Sequence, residues 1–236
     1  MRLRLVTKQL KSQSLKQLAL ALSSTLGYKV WRSSKPKPKQ NNLFYGDCQD
    51  KITQYQWFQT NNIPSVPFTT SQSEASSWVA DGQTVMARCL TRASEGRGIV
   101  VLDQTVPWVV APVYTWYLKK KREFRVHCYK DQVVAVLEKR RKVNYTGDKS
   151  DTKIRNTANG YVFCSADVAE PKGIRDLALA ARRVTASDFA GVDIGYNEKL
   201  NQLFVIEVNS APGIQGSNID KYVASILNAK KVITNA

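Results

Sequence analysis

The last third of the chain contains two strand-like stretches, GVDIGY at 191–196 and LFVIEVN at 203–209, with a polar turn between them. Such a hairpin constrains the fold strongly, because a shift of one residue would turn every buried side chain toward solvent. One register assembles a complete core-facing apolar face, with the pairs Val192 and Val208, Ile194 and Ile206, and Tyr196 and Phe204. In this register Asp193 lies directly opposite Glu207.

The other face of this hairpin carries oxygen-bearing side chains. Like charges facing each other across two strands cost about 0.2 to 1 kcal/mol at an exposed site, so a cation is expected between Asp193 and Glu207. Asn209 lies on the same face, and an all-oxygen set suits Mg²⁺ better than Zn²⁺. Because Mg²⁺ shares its coordination with substrate phosphates, the pattern favours a nucleotide partner. The alternative is an exposed hairpin whose polar side chains face water.

Strand and helix patterns alternate along the rest of the chain. Helices are predicted from Asp50 onward and within GIRDLALAARRVTA at 173–186. Strands are predicted in QTVMARCL, GIVVLDQ, APVYTWYL, EFRVHCY and DQVVAVLEKRRK. The first two of these strands are joined by TRASEGR, a loop with room for a phosphate group.

Composition is that of a folded globular protein, since 43% of the residues are hydrophobic and 23% are charged. Lys and Arg number 35 against 19 Asp and Glu, and the net charge of +16 favours polyanions or acidic substrates. One histidine and four cysteines without a C-x-x-C pair argue against a zinc site. The N-terminal leucines recur at helical spacing, which predicts an amphipathic helix rather than a signal peptide. No apolar run reaches the ~20 residues that span a bilayer, so the protein is expected in the cytoplasm.

The combination of GVDI with FVIEVNSAPGI resembles the C-terminal signature of the ATP-grasp superfamily. It is especially similar to RimK-like carboxylate–amine ligases and to the small versions carried by tailed phages, for which a host-cytoplasm location is expected. The resemblance implies an α+β ATP-grasp fold in which two α+β lobes clasp ATP after a short N-terminal α/β element. The implied bounds are 1–48 for this element, 49–113 for the small lobe with its glycine-rich loop, and 114–236 for the C-terminal lobe.

The resemblance also implies roles for individual residues in holding ATP and Mg²⁺. Magnesium ligands would be Asp193, Glu207 and Asn209. Phosphate-binding residues would be Lys51, Arg88, Ser94, Gly96, Arg97, Gly98 and Asn156. Residues near adenine and ribose would be Tyr114, Trp116, Tyr117 and Glu123. Arg88 stands where relatives have a lysine and Trp116 where they often have a glutamate, so a relative that binds ATP without ligase activity is an alternative.

Three arginines are implied to stabilise the reacting groups, namely Arg125, Arg140 and Arg155. The implied reaction joins a carboxylate to an amine through an acyl phosphate, at the expense of ATP. The basic surface favours an acidic peptide or protein as the target. Because KKKR, KRRK and five tryptophans are also typical of proteins that bind nucleic acids, nucleic-acid binding is a second alternative. His127 is expected to pack in the interior rather than to act as a base.

Overall fold

The protein is described by a computed structural model of residues 2–46, 50–93, 96–148, 152–185 and 187–234, with side chains up to residue 229. Ser94 lies outside the described residues. The described residues form three sheets, one of three, one of four and one of five strands. Within this part of the chain, no helix combines the length and the apolar character that crossing a membrane requires.

The N-terminal element is a small parallel sheet covered by a helix. Its parts are β1 (Leu3–Val6), α1 (Gln13–Leu26), β2 (Trp31–Ser33) and β3 (Asn41–Phe44), with the strand order β2-β1-β3. Ser12 caps α1 by accepting a hydrogen bond from the N–H of Leu15, and Gly27 ends it with a φ of 68°. Leu18 and Leu22 are fully buried, which confirms the predicted amphipathic helix.

The small lobe is a four-stranded antiparallel sheet with the order β4-β7-β5-β6. Its parts are β4 (Phe68–Thr69), α3 (Gln72–Ala80), β5 (Val85–Arg88), β6 (Ile99–Leu102) and β7 (Val113–Trp116), preceded by α2 (Lys51–Thr60). The boundary predicted between residues 113 and 114 falls inside β7. Tyr55 and Phe58 of α2 belong to the core of the large lobe, so α2 packs on that lobe rather than on the small sheet.

The large lobe is a five-stranded antiparallel sheet with the order β10-β9-β8-β11-β12. Its parts are β8 (Arg122–Tyr129), β9 (Gln132–Arg141), β10 (Tyr161–Cys164), α4 (Ile174–Val184), β11 (Phe189–Asn197), β12 (Gln202–Asn209) and α5 (Asn218–Thr234). Phe124, Val126 and Val192 face α4 in a continuous apolar core. The opposite face of the sheet is therefore left to carry polar groups.

The predicted pairing of β11 with β12 is confirmed at one end and wrong at the other. Val192 pairs with Val208 and Asp193 with Glu207, but a bulge follows and Ile194 then pairs with Val205 instead of Ile206.

The bulge moves the remaining side chains of β12 to the opposite face. Phe204 and Ile206 were predicted to face the core with Val208, yet both line the open face. Gly195 opposes Phe204, and a Cβ at Gly195 would lie 2.4 Å from the ring. Glycine therefore makes room for the aromatic ring that the bulge turns over it.

Candidate functional site

A cleft of about 600 Å³ lies between the small sheet and the polar face of the large sheet. The small lobe contributes Met86, Arg88 and Trp116 to its wall, and the large lobe contributes Asp193 and Glu207. The two acids of the predicted hairpin therefore lie at a cavity that both lobes line.

Each of these two acids is held by a cation. Arg125 donates from Nε and Nη2 to the two carboxylate oxygens of Asp193, both at 2.7 Å. The Nζ of Lys51 lies 2.8 Å from Oε2 of Glu207, and Asn209 donates to Oε1 of Glu207 at 3.1 Å. The like charges that the sequence brings together are therefore compensated by side chains of β8 and α2.

Electrostatics keep Glu207 ionised. Burial raises its pKa, but the charge and hydrogen bond of Lys51, the charge of Arg88 and the hydrogen bond from Asn209 outweigh burial and lower it to about 2. Burial also opposes the charged form of Arg125, yet Asp193 raises the pKa of this guanidinium above its ordinary value. Glu207 and Arg125 therefore stay charged at neutral pH.

The donor set fits a hard divalent cation. Asp193, Glu207 and Asn209 all line the cleft and offer only oxygen ligands, the chemistry that Mg²⁺ prefers. Across the described residues, no group of three His, Cys, Asp or Glu side chains is arranged as a complete metal cage. Because Mg²⁺ usually completes its shell with water and phosphate oxygens, two acids and an amide suffice for its protein side.

Lys51 and Arg88 bring positive charge to the same acids from the other side. Besides its ion pair with Glu207, Lys51 donates to the carbonyl of Ala93 at 2.9 Å, which ties α2 to the loop after β5. Arg88 is buried in the cleft wall and donates to the hydroxyl of Thr115 at 3.3 Å. Lys51 and Arg88 thus lie beside Glu207, and of these two cations Arg88 lines the cleft whereas Lys51 does not.

The glycine-rich loop is only partly at the cleft. Gly96 lines it with a φ of 72°, and a Cβ there would approach Ile154 to 2.8 Å. A larger residue would therefore separate this loop from the loop at 152–157. Arg97 and Gly98 do not line the cleft, and a Cβ on Gly98 would instead contact Leu90 at 2.8 Å.

The segment predicted to contact adenine, residues 114–117, lies partly at the cleft and partly in the core. Trp116 and Tyr117 line the cleft, but Tyr114 does not. The side chain of Tyr114 is fully buried in the small lobe, where its hydroxyl accepts from the N–H of Ala111 at 2.8 Å. Thr115 lines the cleft, and alternation along β7 turns the side chain of Tyr114 to the opposite face of the strand.

The backbone of this segment is also partly engaged. The N–H of Trp116 donates to the carbonyl of Pro67 at 3.0 Å, and that of Tyr117 donates to Thr84 at 2.8 Å. The indole N–H of Trp116 is buried without a hydrogen-bond partner among the described residues. Leu118 follows these residues and lines the cleft, so it is the next backbone position able to reach a base.

Glu123 lies in the cleft within a cluster of charges. It forms an ion pair with Lys139, and Nζ of Lys120 is 3.6 Å from its other oxygen. Burial raises the pKa of Glu123, but the two lysines outweigh burial and lower it. Lys120 and Lys139 also line the cleft, and the sequence prediction missed both. The register of β8 with β9 places Lys139 opposite Glu123, and this pairing of opposite charges was the signal that could have identified it.

The three arginines predicted to be catalytic occupy different places. Arg125 and Arg155 line the cleft, and Nη2 of Arg155 donates to the carbonyls of Lys120 and Lys121 at 3.1 Å. Arg140 does not line the cleft; its guanidinium donates to Glu138 and to backbone carbonyls at residues 166 and 167. Because Lys139 points into the cleft, the next residue of the strand points away, and the structure places Arg140 outside the cleft.

Asn156 lies at the cleft, whereas His127 is buried in the interior. Asn156 lines the cleft, and its Oδ1 accepts from the N–H of Asn159 at 2.9 Å, which shapes the loop. His127 is buried, with Nδ1 3.1 Å from the hydroxyl of Tyr222. Burial, together with the charges of Arg125 and Lys221, lowers the pKa of His127 to about 3. This histidine is therefore neutral and packed in the interior.

Known structures share this architecture at low sequence identity. PsnB, an ATP-grasp ligase solved with a minimal precursor, Mg and ADP, is 10% identical with a TM-score of 0.68, over 97% of this chain and 98% of that one. D-alanine–D-alanine ligase from Bacillus anthracis, solved with ATP, is 12% identical with a TM-score of 0.60, over 98% and 99%. A RimK domain protein from Sphaerobacter thermophilus is 10% identical with a TM-score of 0.61, over 95% and 98%. These likenesses establish the ATP-grasp fold that was expected.

Sequence comparison supplies the family. No curated protein matches the chain significantly. The family model of the RimK-like ATP-grasp domain, however, matches residues 113–235, the segment that contains the large sheet, both acids of the cleft and Arg125. The chain belongs to the RimK-like ATP-grasp family.

Proposed function

We propose that the protein is an ATP-dependent ligase that joins a carboxylate to an amine through an acyl phosphate. The observation that carries this proposal is the opposition of Asp193 and Glu207 across β11 and β12, with Arg125 paired to the first and Lys51 to the second. The acids can bind a metal ion and the cations can bind phosphate groups, and a nucleoside triphosphate with its metal ion requires both. A family resemblance to phage versions and a cytoplasmic location remain predictions.

Asp193, Glu207 and Asn209 would hold the metal, as their shared position on the cleft supports. When bound, Mg²⁺ neutralises charge on the phosphates of ATP. Lys51 of α2 and Arg88 of β5 add positive charge beside Glu207. Phe204 and Ile206 provide an apolar surface on the large-lobe side, against which a base can lie.

Arg125 and Arg155 are the cleft residues suited to the reacting groups. In the first step, a carboxylate oxygen of the substrate attacks the γ-phosphorus and ADP leaves, which forms the acyl phosphate. In the second step, the amine nitrogen attacks the acyl carbon, inorganic phosphate leaves with the electron pair of the broken C–O bond, and the proton lost by the nitrogen passes to the released phosphate or to water. Arg125 remains charged throughout, because Asp193 raises its pKa, and it can stabilise negative charge on the tetrahedral carbon.

The residues of the cleft are suited to position the substrates and to stabilise charge rather than to form a covalent intermediate. Among the residues that line the cleft in the described part of the chain, there is no serine, cysteine or histidine that could form a nucleophile–base pair. The one histidine is buried beside Tyr222 and does not line the cleft. This distribution favours direct attack by one substrate on another.

Ion pairs formed by the two basic runs, KKKR at 119–122 and KRRK at 139–142, argue against the alternative of nucleic-acid binding. Lys121 pairs with Glu198, and Arg122 pairs with Glu138. Lys139 pairs with Glu123, and Arg140 joins Arg122 at Glu138. Three carboxylates thus offset part of the eight positive charges in the two runs, which lowers the charge available to a phosphate backbone.

A glutamine at position 207 tests the proposed function. Glu207→Gln keeps the size of the side chain and removes the charge, so Mg²⁺-dependent release of ADP should fall by about a hundredfold or more. The matched control is Glu198→Gln, which removes a carboxylate from the turn between β11 and β12, outside the cleft. It should leave the rate unchanged.

Product analysis separates a ligase from a relative that only binds ATP. Mixtures of candidate carboxylate and amine compounds, among them acidic peptides, are incubated with protein, ATP and Mg²⁺ and analysed by mass spectrometry. A product heavier than either substrate, equal to their sum less one water, supports ligation. Binding of ATP with no ADP release and no joined product from any mixture counts against it.

A further inference from the structure

The N-terminal element carries basic residues without any acidic ones. Residues 1–46 contain ten Lys and Arg and no Asp or Glu, so they contribute +10 to the net charge of +16. The ten are Arg2, Arg4, Lys8, Lys11, Lys16, Lys29, Arg32, Lys35, Lys37 and Lys39. None of these residues lines the ATP cleft, so ATP binding does not account for their charge.

A groove of about 440 Å³ crosses this element between α1 and β2, and we call it the α1–β2 groove. Lys16, Leu20 and Ser23 lie along its helical wall, at a spacing that brings them to one face of α1. Leu15, Leu18 and Leu22 occupy the opposite, core-facing side of the helix. The groove is therefore formed by a second stripe of α1 that the core does not use.

The groove exposes large apolar side chains. Leu20 is 63% exposed, Leu10 is 45% exposed and Trp31 is 42% exposed, and all three line it. Val30 and Ala19 form the buried floor beneath them. Apolar side chains grouped in a concave surface mark a contact site more often than single exposed ones do.

Three cations border these apolar side chains. Lys16, Lys29 and Arg32 line the groove, and none of them forms an ion pair with any acidic side chain that the structure describes. Arg32 donates to the carbonyl of Leu10 at 2.9 Å, which leaves its charge uncompensated. The charged rim is thus complementary to carboxylates.

The backbone beside the groove is able to pair with an extended chain. β2 is an edge strand of its sheet, bonded in parallel to β1 on one side only. An edge strand can add a peptide through main-chain hydrogen bonds, with side-chain pockets that supply selectivity. Leu20 and Val30 flank a pocket of that kind.

We propose that the α1–β2 groove binds an acidic polypeptide segment, with an aliphatic side chain between Leu10, Leu20 and Trp31 and carboxylates at Lys16, Lys29 and Arg32. The aliphatic lining favours a polypeptide over a nucleic acid. Lys29 lies 4.0 Å from the ring centroid of Trp31, so one face of that ring is already covered against base stacking. None of the groove residues lines the ATP cleft, and the proposal therefore goes beyond the proposed ligase activity.

Fluorescence anisotropy with defined probes tests this binding. The probe is a fluorescein-labelled eight-residue peptide of sequence EELEELEE, compared with its QQLQQLQQ analogue and with a labelled oligothymidine of equal charge. The full-length protein is used without ATP, so that the result does not depend on ligase activity. The wild type should bind the acidic peptide more tightly than either comparison probe.

Two variants and two matched controls locate the site. Leu20→Ser removes the exposed anchor and Lys29→Glu reverses a rim charge, and each should weaken binding of the acidic peptide by about fivefold or more. Leu200→Ser and Lys199→Glu make the same chemical changes at exposed positions in the turn between β11 and β12, and both should bind as the wild type does. Circular dichroism establishes that all four variants are folded.

Three outcomes would overturn the proposal. One is equal loss of affinity in the groove variants and their controls, since that would mean diffuse attraction to the net charge. A second is tighter binding of the oligothymidine than of the peptide, with dependence on Lys29 and not on Leu20. A third is equal affinity for EELEELEE and QQLQQLQQ. Loss of ADP release with peptide binding intact would instead overturn the proposed function alone.

Discussion

The cleft and the N-terminal element use charge in opposite ways. In the cleft, Arg125 is paired with Asp193, Lys51 with Glu207 and Lys139 with Glu123, and all six side chains are largely buried. In residues 1–46, ten cations occur without one acidic side chain in the same segment. One protein thus combines a region where cations are paired with acids and a segment that supplies cations but no acids of its own.

This difference follows from the cost of desolvation. A buried charge without a partner costs several kcal/mol, so charges in the cleft must arrive with partners that fold beside them. An exposed charge keeps its water and needs no partner, which allows like charges to accumulate on one surface. The first arrangement holds acids ready for a metal, and the second leaves a surface attractive to an acidic partner.

The largest effect is expected where a cleft pair is broken on one side. Asp193→Asn removes the charge that Arg125 faces in the interior, and the free energy of unfolding should fall by about 3 kcal/mol. Urea unfolding followed by circular dichroism measures the change. Adding Arg125→Met to the same protein removes the stranded charge and should recover part of the loss. If the single variant is as stable as the wild type, the pair is not desolvated.

Acid should produce the next largest effect. The pKa of His127 is lowered from 6.5 to about 3, so the neutral form stabilises the fold above pH 6.5, and this contribution is lost as the pH falls toward 3. From these two values, the loss at pH 5 amounts to about 2 kcal/mol. The pKa of Glu207 is lowered from 4.5 to about 2, so its contribution is lost only between these two values.

A variant separates these two contributions. Asn at position 127 offers an amide in place of Nδ1 toward Tyr222 and does not titrate, so His127→Asn should flatten the fall in stability between pH 7 and pH 5. The fall below pH 4.5 should remain, because Glu207 is unchanged. Thermal unfolding across this pH range measures both slopes. A wild-type curve that is flat from pH 7 to pH 5 contradicts a buried neutral histidine.

The smallest effect is expected in the N-terminal element. Reversing one charge among many like ones relieves repulsion, so Lys29→Glu should change the free energy of unfolding by no more than about 0.5 kcal/mol, toward greater stability. Screening by salt should abolish even this difference. Urea unfolding at low and at high ionic strength measures it. A loss of 1 kcal/mol or more would mean that Lys29 is structurally required.

Local rules account for the parts of the site that were predicted correctly. Alternation and apolar matching place Asp193 opposite Glu207, because both depend on neighbours within the hairpin. The same alternation, applied to β9, distinguishes Lys139 from Arg140 and would have corrected the assignment of Arg140. The same rule applied to β7 would have shown that the side chain of Tyr114 lies on the face opposite Thr115.

Other features depend on contacts between distant segments. The bulge beside Asp193 turns Phe204 and Ile206 into the cleft, and it is accommodated by Gly195 under the ring of Phe204. The partners of the acids come from 68 residues earlier for Asp193 and from α2 for Glu207. No periodicity within one strand contains this information, because it arises when separate elements pack.

By itself, the sequence determined the strand and helix pattern, the opposition of two carboxylates and the excess of positive charge, since each follows from the order of residues along the chain. The tertiary structure decided which cations meet those carboxylates, which side of β12 faces the cleft and which positive charges remain uncompensated. The physical reason is that desolvation and pairing depend on distances in space, and only the packed molecule sets those distances.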